Sequence, residues 1–384
     1  MSAPRIKDGY VVIIHGRNEI EIRTGSWSGP IVHLVDDQQT GVLPDIVSLL
    51  DGTRSTEQII RVVGDKYEPL VLGLLEDLAA RGVVDRDLPP TESPIRSFYS
   101  LYDPDADQII DAIKRARICV IGAGLIGCRV IANLAALGVR AIRVVDSQKV
   151  NEAHIQLSPL LASCKVGDPL GQTAVKLVGK IASNVETDWV DAPIESRSDD
   201  LTKIMQGYDL ILACTDYPTP SLWTELNKAA LVAHQMWTIA TLDGLDGQVG
   251  PSFKPFETAC YRCLELRLGS HAADYERYLA YTERLKLGDG VLRKGYVGLP
   301  GFADTVAGLL IADIPNLLNT GTGFTVGKLA IFHFPLLEFQ THRVLKLPRC
   351  PECGKTARGW PTLAPYTSLS NILEDFWNEN RGKE

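Results

Sequence analysis

The first part of the chain alternates short apolar runs with turn residues. "YVVIIHG" and "EIEIRTG" read as two short strands around the Gly16–Asn18 turn, a hairpin pattern, and "GPIVHLV" as a third strand. "LPDIVSLLDG" has helical spacing and ends at Gly52. "STEQIIRVVGDKY" starts a second helix with Ser55 or Thr56 as N-cap. "EPLVLGLLEDLAARGVV" sets Leu70, Leu74, Leu75 and Leu78 along one stripe, and Gly82 stops it. Three strands and three short helices predict a small winged-helix-like α+β unit over residues 1–87. The Pro- and Ser-rich "LPPTESPIRS" then reads as a linker and "PDADQIIDAIKRA" as a helix, together residues 88–115.

From Ala116 the texture changes. "RICVIGAGLIGCRVIANLAALGVRAIRVVDS" reads strand, glycine turn, helix, strand, and "DLILACTD", "WTIATLDG" and "GKLAIFHF" supply further buried strands. This alternation predicts an α/β, Rossmann-like domain over residues 116–358, with a mostly parallel sheet and helices on both faces. Residues 359–384 form a tail in which "SLSNILEDFWNE" has the spacing of a short amphipathic docking helix. No internal repeat or low-complexity tract interrupts these segments.

Composition narrows the picture. With 384 residues, 45% of them hydrophobic, the chain can bury more than one core. A net charge of −8 argues against a broad nucleic-acid-binding surface. No apolar run looks long enough for a membrane span and "MSAPRIKDGY" lacks a secretory signal, so a soluble cytoplasmic protein is expected. In a reducing compartment its eight cysteines point to metal ligation or isolated thiols instead of disulfides.

Two motifs carry chemistry. Gly122, Gly124 and Gly127 of "GAGLIG" follow the apolar strand Ile118–Ile121, and Asp146 closes the next strand. The acid lies about 20 residues on, the offset at which a carboxylate accepts from a ribose hydroxyl while phosphate sits on the helix N-terminus. The fingerprint marks a fold and leaves open whether the pocket is filled. The second motif is a pair of Cys-x-x-Cys knuckles, Cys260/Cys263 and Cys350/Cys353, which together match a tetrahedral Zn²⁺ site. A site of four thiolates keeps no open position, so the expected zinc is structural, a clasp between remote segments. Cys119, Cys128, Cys164 and Cys214 read as single thiols.

The glycine turn, Asp146, "ACTD", "ACYRC" and "CPECG", in that order, resemble the ThiF/MoeB and ubiquitin-activating-enzyme superfamily, over roughly Ala116 to Gly354. The resemblance implies a site that adenylates a carboxylate, usually a protein C-terminus, with Asp216 of "ACTD" near metal and phosphates. It also implies an Arg and a Gln after the acid and a Lys after a Val-Gly. By spacing those positions hold Leu157, Ser158 and Leu170. Adenylation needs cations against developing negative charge, and only Lys165, Lys176 or Arg140 stand as candidates to replace them.

The N-terminal unit resembles the PqqD-like precursor-recognition element of bacterial ribosomal-peptide biosynthesis. "CYRCLELRLGSHAADYERYLAYTER" is similar to the leader-binding cyclodehydratase partners of thiazole/oxazole-modified microcin pathways. That resemblance implies an antibiotic-biosynthesis protein that binds a precursor leader and presents its core to a separate YcaO-type ATP-dependent enzyme, which cyclises Cys, Ser or Thr. A flavin dehydrogenase is a further candidate partner, and a homodimer is expected. ATP with Mg²⁺ at Gly122, Gly124, Gly127, Asp146 and Asp216 belongs to the alternative, an autonomous enzyme that adenylates a peptide carboxylate. A leader would add a strand at an open sheet edge. The candidate contacts are Ile31, Val32, His33 and Leu34 on the third strand and Leu72, Leu75 and Ala79 on the last helix. No set of residues defends itself as catalytic by spacing.

Overall fold

The computed structural model describes residues 3–27, 29, 31–85, 93–101, 103, 105–288, 291, 296 and 298–354. The proposed docking helix of the tail and the first half of the Pro-rich linker, residues 88–92, lie outside them. The chain divides into two compact units, Met1–Ala112 and Ile113–Glu384.

In the first unit, β1 (Arg5–Ile6) precedes a meander of β2 (Val11–Ile14), β3 (Glu19–Arg23) and β4 (Ile31–Val35). The meander pairs antiparallel in the order β2-β3-β4. Helices α1 (Leu43–Ser48), α2 (Thr56–Val63) and α3 (Glu68–Ala80) follow. Ser55 caps α2 in a full capping box with Gln58. The apolar side of β3 (Ile20, Ile22) meets Ile46, Ile59, Leu75 and Leu78 in one core, each 0–1% exposed. Each such side chain contributes about 1.5–3 kcal/mol by leaving water. Beyond α3, β5 (Val84–Asp85) returns to pair with β1, a contact between remote dipeptides too short to leave a periodic signal. Within the expected linker, Pro94–Ser100 is helical (α4), and α5 (Ala106–Arg115) leads into the second unit.

The second unit is a Rossmann-like α/β domain. Its elements are β6 (Arg117–Ile121), α6 (Leu125–Leu137), β7 (Ala141–Val145), α7 (Glu152–Leu157), α8 (Leu170–Ile181), β8 (Glu186–Val190) and α9 (Ser198–Met205). Then come β9 (Leu210–Thr215), α10 (Pro220–Ala233), β10 (Trp237–Asp243), β11 (Asp246–Phe253), α11 (Tyr261–His271) and α12 (Tyr275–Leu287). The chain continues through α13 (Pro300–Asn319), β12 (Lys328–His333) and β13 (Glu338–Arg343). The eight-stranded sheet has the order β13-β12-β11-β10-β9-β6-β7-β8. Strands β8, β7, β6, β9 and β10 run parallel, and β6 and β9 are buried on both faces, hence their unbroken apolar runs.

The expected mostly parallel sheet is in fact mixed, because β11, β12 and β13 join antiparallel. The reversal sits at Gly244, with φ of +63°, between the paired residues Asp243 and Asp246. "DG" is a hairpin signal in the sequence. One expectation about apolar runs also changes: α13 is long and apolar enough by length and composition to cross a membrane. In the fold it is a core helix, with Val306, Leu310 and Ile314 buried. Its fully buried Asp313 accepts from the Phe324 and Thr325 amides.

Candidate functional site

The glycine turn joins β6 to α6 at the C-terminal ends of the parallel strands. Gly122 has φ of +96°, and a Cβ there would stand 2.1 Å from the Cys214 carbonyl oxygen. A Cβ on Gly127 would stand 2.0 Å from the Gly122 carbonyl, and one on Gly124 2.2 Å from Asp216 Oδ2. Gly122 and Gly127 meet main chain and are therefore demanded by the protein's own packing before any ligand is considered, whereas Gly124 meets only the Asp216 carboxylate.

The two acids of the turn are engaged internally. Asp146 is 1% exposed, and its Oδ2 accepts from Ala123 N at 2.7 Å and its Oδ1 from Gln148 N at 2.6 Å. Burial pushes its carboxyl up from the ordinary range, against the pull of those amides. Asp216 lies across the start of α6, where Oδ2 accepts from Leu125 N at 2.8 Å and Oδ1 from Ile126 N at 3.0 Å. These are the free amides of a helix N-terminus, the groups a phosphate would otherwise meet. Buried His154 places Nε2 3.7 Å from Asp216 Oδ2. Its Nδ1 accepts from Asn151 N, which leaves the ring proton of the neutral form on Nε2, facing that carboxylate. Burial, with Asp216 adding, pushes the Tyr296 phenol up to about 12.

Two of the three cations that could serve a triphosphate, Arg140 and Lys176, make other contacts. Ser158 and Leu170 are fully buried core positions. Arg140 precedes β7, at the opposite end of the strands, and pairs with Glu186 at 3.6 Å. Lys176 reaches Gln172, and Lys165 is exposed. Arg129, which sequence reasoning passed over, lies beside the turn on α6 and is 3% exposed. Its guanidinium donates to the carbonyls of Leu125 and Leu157 at 2.8 and 2.9 Å and to the Asp304 carboxylate. Its fork is spent on the fold. Cys214 is buried and its thiol is raised by that burial, so it is no nucleophile at neutral pH.

The sulfurs of Cys260, Cys263, Cys350 and Cys353 are brought together, all within 4.8 Å of one another and all buried. Three of the Sγ–Sγ separations are 3.9, 3.6 and 3.5 Å. Four sulfurs at Zn–S distances of about 2.3 Å stand about 3.8 Å apart at the corners of a tetrahedron, so these residues fit Zn²⁺. Leu347 N donates to Cys263 Sγ at 3.4 Å, the amide-to-sulfur bond of a metal knuckle. A Cβ on Gly354 would stand 2.4 Å from the Cys350 carbonyl, so the second knuckle requires glycine. Hydrogen bonding among the four sulfurs lowers the Cys350 and Cys263 thiols and raises those of Cys260 and Cys353. Bound there, the ion would contribute a cross-link and no reacting position.

In the first unit, β4 pairs only with β3, so its outer edge is open among the described residues. Beside that edge a groove of 210 Å³ is lined by Leu34, Val35, Leu43, Leu70, Gly73 and Leu74. Of the expected contacts, Leu34 lines it, Ile31 is 57% exposed on the same strand, and His33 is exposed and bonded to Glu19 at 2.7 Å. Val32 and Leu75 point into the core instead, at 4% and 1% exposure. Leu72 and Ala79 are not among the groove residues: at 100° per residue they fall about 200° and 180° around α3 from Leu70. The buried stripe is Val71, Leu74, Leu75 and Leu78, which frees Leu70, 39% exposed, for the groove. The unpacked Gly73 in mid-helix was the sequence signal for this wall.

Residues 100–352 match the ThiF family. The chain is 25% identical over 247 residues to the molybdopterin-synthase adenylyltransferase of Salmonella typhimurium, covering 64% of this chain and 90% of that protein. It is 26% identical over 250 residues to the sulfur carrier protein adenylyltransferase of Thermus thermophilus, covering 64% and 84%. Among solved structures, Escherichia coli MccB, crystallised with MccA-N7isoASN, aligns with a TM-score of 0.68 at 17% identity over 92% of this chain and 100% of that one. PaaA aligns with a TM-score of 0.58 at 15% identity over 73% and 96%. A family match over residues 100–352, from before the strand–turn–helix into the second cysteine knuckle, with adenylyltransferases as relatives, makes the chain a member of the ThiF family.

Proposed function

We propose that this ThiF-family protein binds the leader of a ribosomally made precursor peptide and presents its core to a separate YcaO-type cyclodehydratase, as a thiazole/oxazole-modified microcin partner protein with a PqqD-like element. The observation that carries the reading is Asp216 seated on the α6 amides, with Arg129 spent on carbonyls and Asp304. A triphosphate docking there would face a carboxylate in place of donors, and catalysis of its transfer rests almost wholly on positioning and cations. The open β4 edge and its apolar groove support the binding half, since an added strand gains main-chain hydrogen bonds and seats alternate side chains in pockets. A flavin dehydrogenase and a second copy of the chain are the further partners of this reading, and structural zinc its cofactor.

The test is titration with ATP/Mg²⁺ and, separately, with the leader of a precursor encoded beside the gene. Micromolar or tighter leader binding without nucleotide binding is expected. Gly73→Phe tests the groove: a Cβ at Gly73 meets nothing within 4 Å, so the ring fills the groove without entering the core. Leader affinity is expected to fall roughly 30-fold or more, about 2 kcal/mol, with the melting temperature unchanged. Undiminished binding would place the peptide elsewhere.

A second reading, adenylation of a peptide carboxylate, is favoured by the alignment with the whole of MccB, a microcin C7 biosynthetic enzyme solved with ATP and with MccA. ATP–pyrophosphate exchange by this chain with peptide present would establish it and overturn the first.

A further inference from the structure

The two knuckles of the cysteine clasp come from segments 90 residues apart, and one side chain outside both touches each of them. Asn227, on α10, is 1% exposed. Its Oδ1 accepts from Tyr261 N at 2.8 Å, and its Nδ2 donates to a carboxylate oxygen of Glu352. Tyr261 follows Cys260 and opens α11, whose N-cap residue, Cys260, makes no capping bond through its own side chain. Asn227 supplies that bond from another helix. Glu352 stands between Cys350 and Cys353, inside the second knuckle. The amide can sit only one way, because the Tyr261 N–H cannot accept and an ionised carboxylate cannot donate.

We propose that Asn227 is a positioning residue for the metal clasp: a single buried amide ties the first knuckle to the second and sets the distance at which their thiolates converge. The inference rests on the metal reading of the four cysteines. Knuckles held at a fixed spacing before the ion arrives lose less freedom on binding it, so a fixed bridge prepares the donor set. Outer partners of this kind typically change metal affinity 10–100-fold.

The experiment uses the full chain purified with zinc, and reads metal content, chelator competition and the absorption of the Co²⁺-substituted protein. Asn227→Asp keeps an acceptor for Tyr261 N but turns a carboxylate on Glu352. Zinc affinity is expected to fall 10–100-fold and the Co²⁺ thiolate bands to shift. Adding Glu352→Gln restores a donor opposite the new acceptor, so the double variant is expected to regain most of the affinity and the wild-type spectrum. Damage to the fold alone would not be repaired by exchanging the two groups. If Asn227→Asp fails to fold, Glu352→Ala, at the more exposed end of the bridge, is expected to show the same loss and shift to a smaller degree. Wild-type affinity and spectrum in the single variant that folds, or a double variant no better than Asn227→Asp, would overturn the proposal. A wild-type chain that binds neither zinc nor Co²⁺ would overturn the metal reading itself.

Discussion

Cys353→Ala is expected to release zinc from the purified protein and to lower the melting temperature of the Ile113–Glu384 unit by about 10 °C or more. Structural Zn²⁺ in small fingers is worth about 10–16 kcal/mol in apparent terms. Here the clasp joins one edge of a larger core, so only part of that appears in global stability. The four sulfurs lie in the same apolar cluster as Trp237, Phe253 and Tyr261. Losing the ion there leaves buried thiols, and the knuckle around Gly354 loses its reason to fold back. Chelator treatment of the wild-type chain is expected to reproduce the shift. Unchanged zinc content and melting temperature in the variant would remove the clasp from the account.

The second large effect is expected at Gly122. Gly122→Ala places a methyl 2.1 Å from the Cys214 carbonyl oxygen while the backbone keeps φ of +96°. The left-handed conformation costs about 1–2 kcal/mol for a residue with a Cβ. The overlap is with main chain, so no rotamer change relieves it, and β6 and β9 would have to part. With about 1–3 kcal/mol for the overlap, the sum is roughly 2–5 kcal/mol, read as a drop in denaturation midpoint without added nucleotide. If Gly122→Ala were as stable as the wild type, the turn would owe its glycine to a ligand, and the nucleotide reading would return.

These expectations show why a glycine fingerprint predicts fold better than function. "GAGLIG" after an apolar strand is enough to place strand, turn and helix, because close packing of α6 on β6 and β9 needs Gly122 and Gly127 whether or not phosphate binds. The cysteine spacing was equally legible, since ligation requires little beyond two knuckles that can meet. The groove was half legible. The periodicity of "EPLVLGLLEDLAARG" contains two overlapping apolar stripes, one through Leu70 and one through Val71, and only the position of the three-stranded sheet decides which is buried. Val32 and Leu75 were lost to the core for the same reason. The antiparallel return at β11 was signalled by "DG" but masked by the run of parallel strands before it.

From its residues alone the chain determined the alternation of strands and helices, the glycine turn and the ligand set of the clasp, all properties of local spacing and side-chain chemistry. Tertiary structure decided what occupies the turn. Asp216 follows a strand 91 residues from Leu125, and only the pairing of β9 beside β6 carries its carboxylate onto the α6 amides. Arg129 likewise became a structural cation only when Asp304, 175 residues away, closed on it. Local sequence sets which groups are available. Long-range packing sets which of them is already satisfied, and a satisfied donor is no longer free for a ligand.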